Sequence, residues 1–114
     1  MLALQFSRYG APDVLETVEL PLPEPGPGEV RVRLLAAGVA PVDAKLRAGL
    51  LQAHFPLVFP KIPGRDGVGV VDRVGPGVQG VQRGDAVCAT SDALRAGTYA
   101  EAVSAARSAW SRVR

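Results

Sequence analysis

The sequence predicts a mainly β fold, a small partly open β barrel with one or two short helices. Three observations predict it. The 114 residues include 13 Gly and 10 Pro, and such frequent punctuation leaves room for strands rather than long helices. The apolar runs between these interruptions are short and rich in β-branched residues. From Val30 to Leu34 apolar and charged groups alternate, the period of a strand with one wet face.

Taken in order, Met1 to Tyr9 and Leu15 to Leu20 are apolar-rich segments flanking Gly10-Ala11-Pro12-Asp13, and they read as a β-hairpin. Pro21 to Gly28 holds four prolines without backbone donors, so it should run extended over the surface outside any ladder. Glu29 to Val39 reads as the third strand, wet on one face at first and then continuously apolar, as a strand entering a core. Pro41 to Ala48 has Pro at its start, Asp43 in its first turn, Lys45 and Arg47 near its end and Gly49 after it, which predicts a short helix. A loop containing His54, Phe55, Pro56 and Pro60 follows, then a strand over Gly67 to Val74 whose glycines permit close packing or a bulge. A turn at Val81 to Asp85 leads into a strand at Ala86 to Ala89, and Thr98 to Val103 supplies the last. Beyond about Ala100, local pattern fits helix and strand equally, since Ala102, Ala106, Trp110 and Val113 also fall near helical spacing. No internal repeat of solenoid or propeller period is present.

One domain fits this length. With one cysteine, Cys88, and one histidine, His54, the chain has no internal disulfide and no His/Cys cluster for a protein-only zinc site. A reduced, cytoplasmic setting is expected, and no apolar run reaches the length of a bilayer span. Residues 1 to 94 carry nine Lys/Arg against ten Asp/Glu, so the net charge of +2 comes from Arg95, Arg107, Arg112 and Arg114. Four arginines spread around Glu101 do not make a phosphate-tracking stripe, which argues against nucleic-acid binding.

Gly67-Val-Gly-Val-Val-Asp72 begins like a dinucleotide fingerprint but sits in a β-branched strand rather than at a helix N-terminus, where phosphate is held. Arg83-Gly84-Asp85 is ordinary turn chemistry. His54 has no nucleophile or orienting acid placed beside it by sequence and reads as a loop or packing residue. Cys88, within an apolar strand, reads as core.

Five segments in unbroken order carry a resemblance: Glu24-Pro-Gly-Pro-Gly-Glu-Val30, Ala37-Gly-Val-Ala-Pro-Val-Asp43, Pro63-Gly-Arg-Asp-Gly-Val-Gly-Val-Val71, Gly84-Asp-Ala-Val87 and Gly97-Thr-Tyr-Ala-Glu101. Together they resemble the N-terminal catalytic domain of medium-chain dehydrogenase/reductases, in the zinc-independent quinone oxidoreductase branch. The resemblance implies a GroES-like partly open β barrel over residues 1–103, followed by an atypical basic tail at 104–114, with the family's Rossmann cofactor domain absent. Where zinc-dependent relatives have a Cys and a Gly-His-Glu triplet, this chain has Ala40 and Gly64-Arg65-Asp66, so the resemblance implies no zinc. Many zinc-free relatives resemble Asn-Pro-Val-Asp at this spot; Ala40 replaces the Asn thought to lie near the nicotinamide, while Pro41, Val42 and Asp43 match.

By resemblance, Asp43 and Arg47 stand at the pocket edge, a placement that complementing the helix dipole would equally produce. Ala40, Pro41, Arg65 and Asp66 face the cofactor cleft by the same resemblance, and the bland reading of Arg65 and Asp66 is a solvated turn. The implied function is the substrate side of an oxidoreductase passing hydride from NADPH or NADH to a quinone or an enone-like double bond. Enoyl reduction is the alternative enzyme reading. The chain alone should be inactive and bind no cofactor. A stand-alone GroES-like binding module or an inactive remnant are the non-enzymatic alternatives. Expected partners are a separate cofactor domain or a second copy of the chain.

Overall fold

The structure is a computed structural model that describes residues 1–90 and 97–113. Its elements are β1 (Leu2–Gln5), β2 (Glu16–Glu19), β3 (Glu29–Ala37), α1 (Pro41–Ala48), β4 (Asp66–Val74), β5 (Ala86–Thr90), β6 (Ala102–Ala106) and β7 (Trp110–Arg112). Short 3-10 turns at Pro12–Val14 and Arg107–Ala109 complete the list. The fold is mainly β, in agreement with the GroES-like expectation.

β1 and β2 form the expected antiparallel hairpin, in register from Leu2 opposite Glu19 to Gln5 opposite Glu16. The other strands make one antiparallel sheet in the order β6-β3-β4-β5-β7. This sheet curls around Val30, Val32, Val71, Val87, Val103 and Trp110, whose side chains form the core. Val30, Val32, Val71 and Val87 are fully buried, and each such aliphatic side chain contributes about 1.5–3 kcal/mol of transfer free energy. Phe59 packs edge-on against Phe6 and Tyr9, with ring centroids 5.7 and 5.0 Å away, and joins the hairpin to the loop after α1.

The glycines of β4 do what their placement suggested. A β carbon on Gly69 would run into the Arg33 carbonyl oxygen and stand 2.8 Å from Val32 Cγ1. The strands approach there because the β3–β4 register slips between Leu34 and Ala36, a bulge that needs a residue without a side chain opposite it.

Three expectations are corrected. The apolar half of β3 does not enter the core: Leu35 is 72% and Val39 82% exposed, while Val30 to Val32 are buried. β6 pairs with β3 only over Glu29 to Arg33, so the rest of the strand runs past the end of its neighbour. Cys88 is exposed rather than core, because strand alternation sends Val87 inward and its neighbour out. The strand expected over Thr98 to Val103 begins at Ala102, as β6, and not at Thr98. Gly97 to Glu101 instead hydrogen-bonds to three separate segments, through Gly97 N–H to Ile62 O (3.0 Å), Leu4 N–H to Tyr99 O (2.9 Å) and Leu34 N–H to Glu101 O (2.9 Å).

Beyond Val103, where sequence left helix and strand open, the chain continues β6 to Ala106 and then pairs β7 with β5, with Ala89 opposite Trp110. Ser104 to Ala106 and Trp110 to Arg112 thus belong to the five-stranded sheet, joined by the 3-10 turn at Arg107–Ala109. Among the described residues, no helix is long and apolar enough to cross a membrane.

Candidate functional site

The site is built where β3 leaves the sheet. The Gly38 N–H donates to Asp66 O (2.9 Å), holding the end of β3 against the start of β4. Ala40 is extended, and Pro41 opens α1 with its fixed φ and missing donor. Ala40, at the cap position, has no side chain to satisfy the helix's first amides. Asp43 works in the opposite direction: its Oδ2 accepts the Ala40 N–H at 2.9 Å, half of a capping box. The helix ends at Gly49, whose φ of 85° suits the left-handed cap.

Asp43 is only 6% exposed, so it is not a solvated helix-end charge. Its Oδ1 is buried without a hydrogen-bond partner among the described residues. Nearby stands Tyr99. Burial raises the Tyr99 pKa above the ordinary tyrosine value, and the charge and hydrogen-bonding of the Asp43 carboxylate raise it further, while the Arg47 guanidinium acts in the opposite sense. Arg47 also ties α1 to the hairpin turn: its Nε–H donates to Gly10 O (3.2 Å), and the Gly10 N–H donates to Arg47 O (2.9 Å).

The loop preceding β4 lies against the segment from Gly97 to Tyr99. Tyr99 N–H donates to Pro63 O (3.0 Å). Gly64 has φ 99°, and a β carbon there would stand 2.5 Å from Thr98 Oγ1 and 2.6 Å from Tyr99 Cδ1. Gly64 is therefore required twice, by its backbone and by the side chains seated on it. Next to it, Arg65 is half-buried with its Nε cut off from solvent and unpartnered among the described residues. Asp66 is exposed on the rim of an open hollow of about 610 Å³, beside Gly38, Gly67 and Cys88.

Asp43 and Arg47 thus meet at Tyr99, and Ala40 and Pro41 are joined to Asp43 through the cap. Asp66 lies at the same corner through Gly38, with Pro41 exposed and Ala40 half-buried. Arg65 makes no ion pair with Asp43 among the described residues. Tyr99, Thr98 and Gly64 were not singled out as site residues from sequence: Gly97-Thr-Tyr-Ala-Glu101 scans as strand, and only the ordered set of motifs distinguishes it. His54 is exposed in its loop. Gly67 to Asp72 lies within β4, away from any helix N-terminus. Arg83-Gly84-Asp85 is a turn, with Gly84 at φ 96° and Asp85 Oδ2 accepting the Gln82 N–H.

Residues 26–111 match the alcohol dehydrogenase GroES-like domain. The chloroplast envelope quinone oxidoreductase homolog of Arabidopsis thaliana is 40% identical over 102 residues, covering 89% of this chain and 31% of that protein. The structure of Escherichia coli quinone oxidoreductase complexed with NADPH superposes with a TM-score of 0.90 at 28% identity, covering all of this chain and 33% of the other. An NAD-dependent alcohol dehydrogenase structure superposes with a TM-score of 0.89 at 38% identity, covering 98% of this chain and 39% of the other. The chain spans about a third of the length of the curated relatives it matches. A match of this extent, on a mainly β frame of the expected kind, means that the chain belongs to the alcohol dehydrogenase GroES-like domain family, with quinone oxidoreductases of the medium-chain dehydrogenase/reductase superfamily among its relatives.

Proposed function

We propose that this chain is the acceptor side of a zinc-independent NAD(P)H-dependent reductase of quinones or enone-like double bonds, inactive without a cofactor domain. The observation that carries the reading is the juxtaposition of an uncovered apolar strip, Leu35 to Val39, with Tyr99 along one shallow hollow, at the corner where Tyr99 meets Asp43. A strip of this kind is one wall of a cleft that a second domain completes.

When bound, the nicotinamide supplies the hydride. Ala40 and Pro41 would border it, with Arg65 and Asp66 on the neighbouring loop. The Ala40 N–H is occupied by Asp43, so this corner presents methyl and ring carbons that fit the face of a planar ring. The chain's own residues position and enclose: Asp43 fixes the start of α1, and Arg47 anchors the helix to the hairpin. Tyr99 is a neutral phenol at neutral pH, as any tyrosine of ordinary pKa is, and burial and the Asp43 carboxylate push its ionisation further up.

Zinc does not fit the two positions that would have to bind it. Ala40 offers a methyl and Arg65 a cation where thiolate and imidazole donors are needed. A reduced, cytoplasmic location fits the single exposed thiol.

Joining the chain to the cofactor domain of a quinone oxidoreductase relative tests the proposal. NADPH oxidation dependent on a quinone or an enone, unaffected by chelators and absent from the chain alone, is the expected result. Zinc-dependent alcohol oxidation by the fusion, or micromolar NADPH binding by the chain alone in calorimetry, overturns it.

A further inference from the structure

Two buried polar atoms on adjacent segments lack partners. Arg65 Nε and Thr98 Oγ1 are both cut off from solvent, and neither has a hydrogen-bond partner among the described residues. Thr98 is 1% exposed. Its Oγ1 rests on Gly64, where even a methyl group would stand 2.5 Å from it. The hydroxyl is therefore held against the backbone one residue before Arg65. Burying a hydroxyl and a guanidinium edge unpaired is unfavourable, and a ligand that satisfies both recovers that loss.

The chemistry of the pair selects the ligand. A guanidinium presents a planar fork of donors suited to oxyanions, and a hydroxyl can add one more donor. None of the ion pairs among the described residues involves Arg65. Asp43, the buried acid of the site, accepts the Ala40 N–H at Oδ2, and among the described residues its Oδ1 has no partner, Arg65 included. Among the described residues Arg65 Nε makes no hydrogen bond, so turning it toward an incoming anion breaks none there. A carboxylate and a phosphate share this chemistry. The exposed Ala36, Ala37 and Val39 line a shallow hollow with Thr98 and Tyr99, so the Thr98 side of this corner has an apolar wall; with one guanidinium, that matches a monoanion on an apolar planar body better than a dianion.

We propose, on the reading that this surface is the acceptor wall, that the corner at Gly64–Arg65 binds an oxyanion. Arg65 and Thr98 are its donors, and the ligand is the carboxylate of a small planar acceptor.

The chain as it stands serves for the test, with benzoate as probe, benzamide as its neutral counterpart and inorganic phosphate as the third arm. The Arg65 Nε–H signal and the amides of Gly64, Thr98 and Tyr99 are followed by NMR. Benzoate should shift these signals and bind at least tenfold more tightly than benzamide or phosphate. Arg65→Gln should lose at least tenfold in benzoate affinity and Arg65→Lys less, with Thr98→Val giving a smaller loss should Arg65→Gln unfold. Absence of these shifts, undiminished benzoate binding by Arg65→Gln, or tighter binding of phosphate than benzoate overturns the site. Quinone reduction by the fusion without benzoate binding removes only the oxyanion site. Benzoate binding as described with a fusion inert toward quinones removes only the reductase reading.

Discussion

Replacing Asp43 separates a buried cap from a surface charge. Were Asp43 a solvated complement to the first turn of α1, its loss would cost at most about 1 kcal/mol, the scale of exposed dipole effects. At 6% exposure, with Oδ2 2.9 Å from the Ala40 amide, it is not solvated. Asp43→Ala leaves that amide without its acceptor, a cost of about 1–3 kcal/mol. The same bond seen as a cap is worth about 0.5–2 kcal/mol, so the two figures overlap and do not add. Removing the orphaned Oδ1 returns part of the loss. The expected net is about 2 kcal/mol for Asp43→Ala, or a fall in melting temperature of roughly 10 °C for a domain of this size. Asp43→Asn keeps one carbonyl oxygen for Ala40 and should cost about 1 kcal/mol. It also removes the carboxylate that raises the Tyr99 pKa, so the tyrosinate absorbance titration should move to lower pH. Urea denaturation of the two variants, with exposed Asp13→Asn as control at under about 0.5 kcal/mol, provides the measurement. If Asp43→Ala matched Asp13→Asn, and Asp43→Asn left the tyrosine titration unmoved, the buried cap and its coupling to Tyr99 would both be refuted.

The raised Tyr99 pKa fixes a sign for alkaline stability. Unfolded tyrosine ionises near pH 10 while the folded side chain keeps its proton to higher pH. This contribution is therefore fully present below about pH 10 and is lost as pH rises through the folded value. Denaturation midpoints should fall more steeply above pH 10 in the wild type than in Tyr99→Phe, and parallel curves would count against it. Gly69→Ala forces a β carbon onto the Arg33 carbonyl, which is backbone and cannot rotate away; it should cost about 3 kcal/mol in thermal or urea unfolding. A loss below about 1 kcal/mol would mean that the β3–β4 bulge shifts freely. Cys88 should be alkylated in the native protein at a rate close to that of a free thiol, because it is exposed. Protection until the protein unfolds would place it back in the core.

The sequence made the hairpin, the proline-rich extension and α1 legible because their turn residues act locally: Pro12, Pro41 and Gly49 impose conformations that need no distant partner. It also placed Asp43 in the first turn of α1, but as a dipole partner. The usual capping box begins with Ser or Thr, and Ala40 gave no sign that the acid three residues on would reach back. Cys88 was misread because a short apolar run looks alike whether one face or both are buried; Val87 takes the inner face and the thiol the outer. The placement of Tyr99 beside Asp43 depends on a long-range packing that begins at Gly64, which no periodicity within either segment encodes.

β3 is a single hydrogen-bonded strand in two environments. Its first half, Val30 to Arg33, is flanked by β4 and β6, with Val30 and Val32 sealed in the core. Its second half, Leu34 to Ala37, has β4 alone as a strand neighbour, and on the β6 side the Leu34 N–H reaches the backbone at Glu101 O just before that strand begins. Opening the first half means dismantling the sheet, so its amides should exchange with solvent deuterium only through global unfolding. The second half can part from β4 in a local fluctuation at far lower free energy. One strand then spans a gradient from the most protected backbone of the protein to backbone able to yield, and the yielding end is the one beside the candidate site. A domain or ligand that settles on this end would be expected to slow its exchange without touching the buried half.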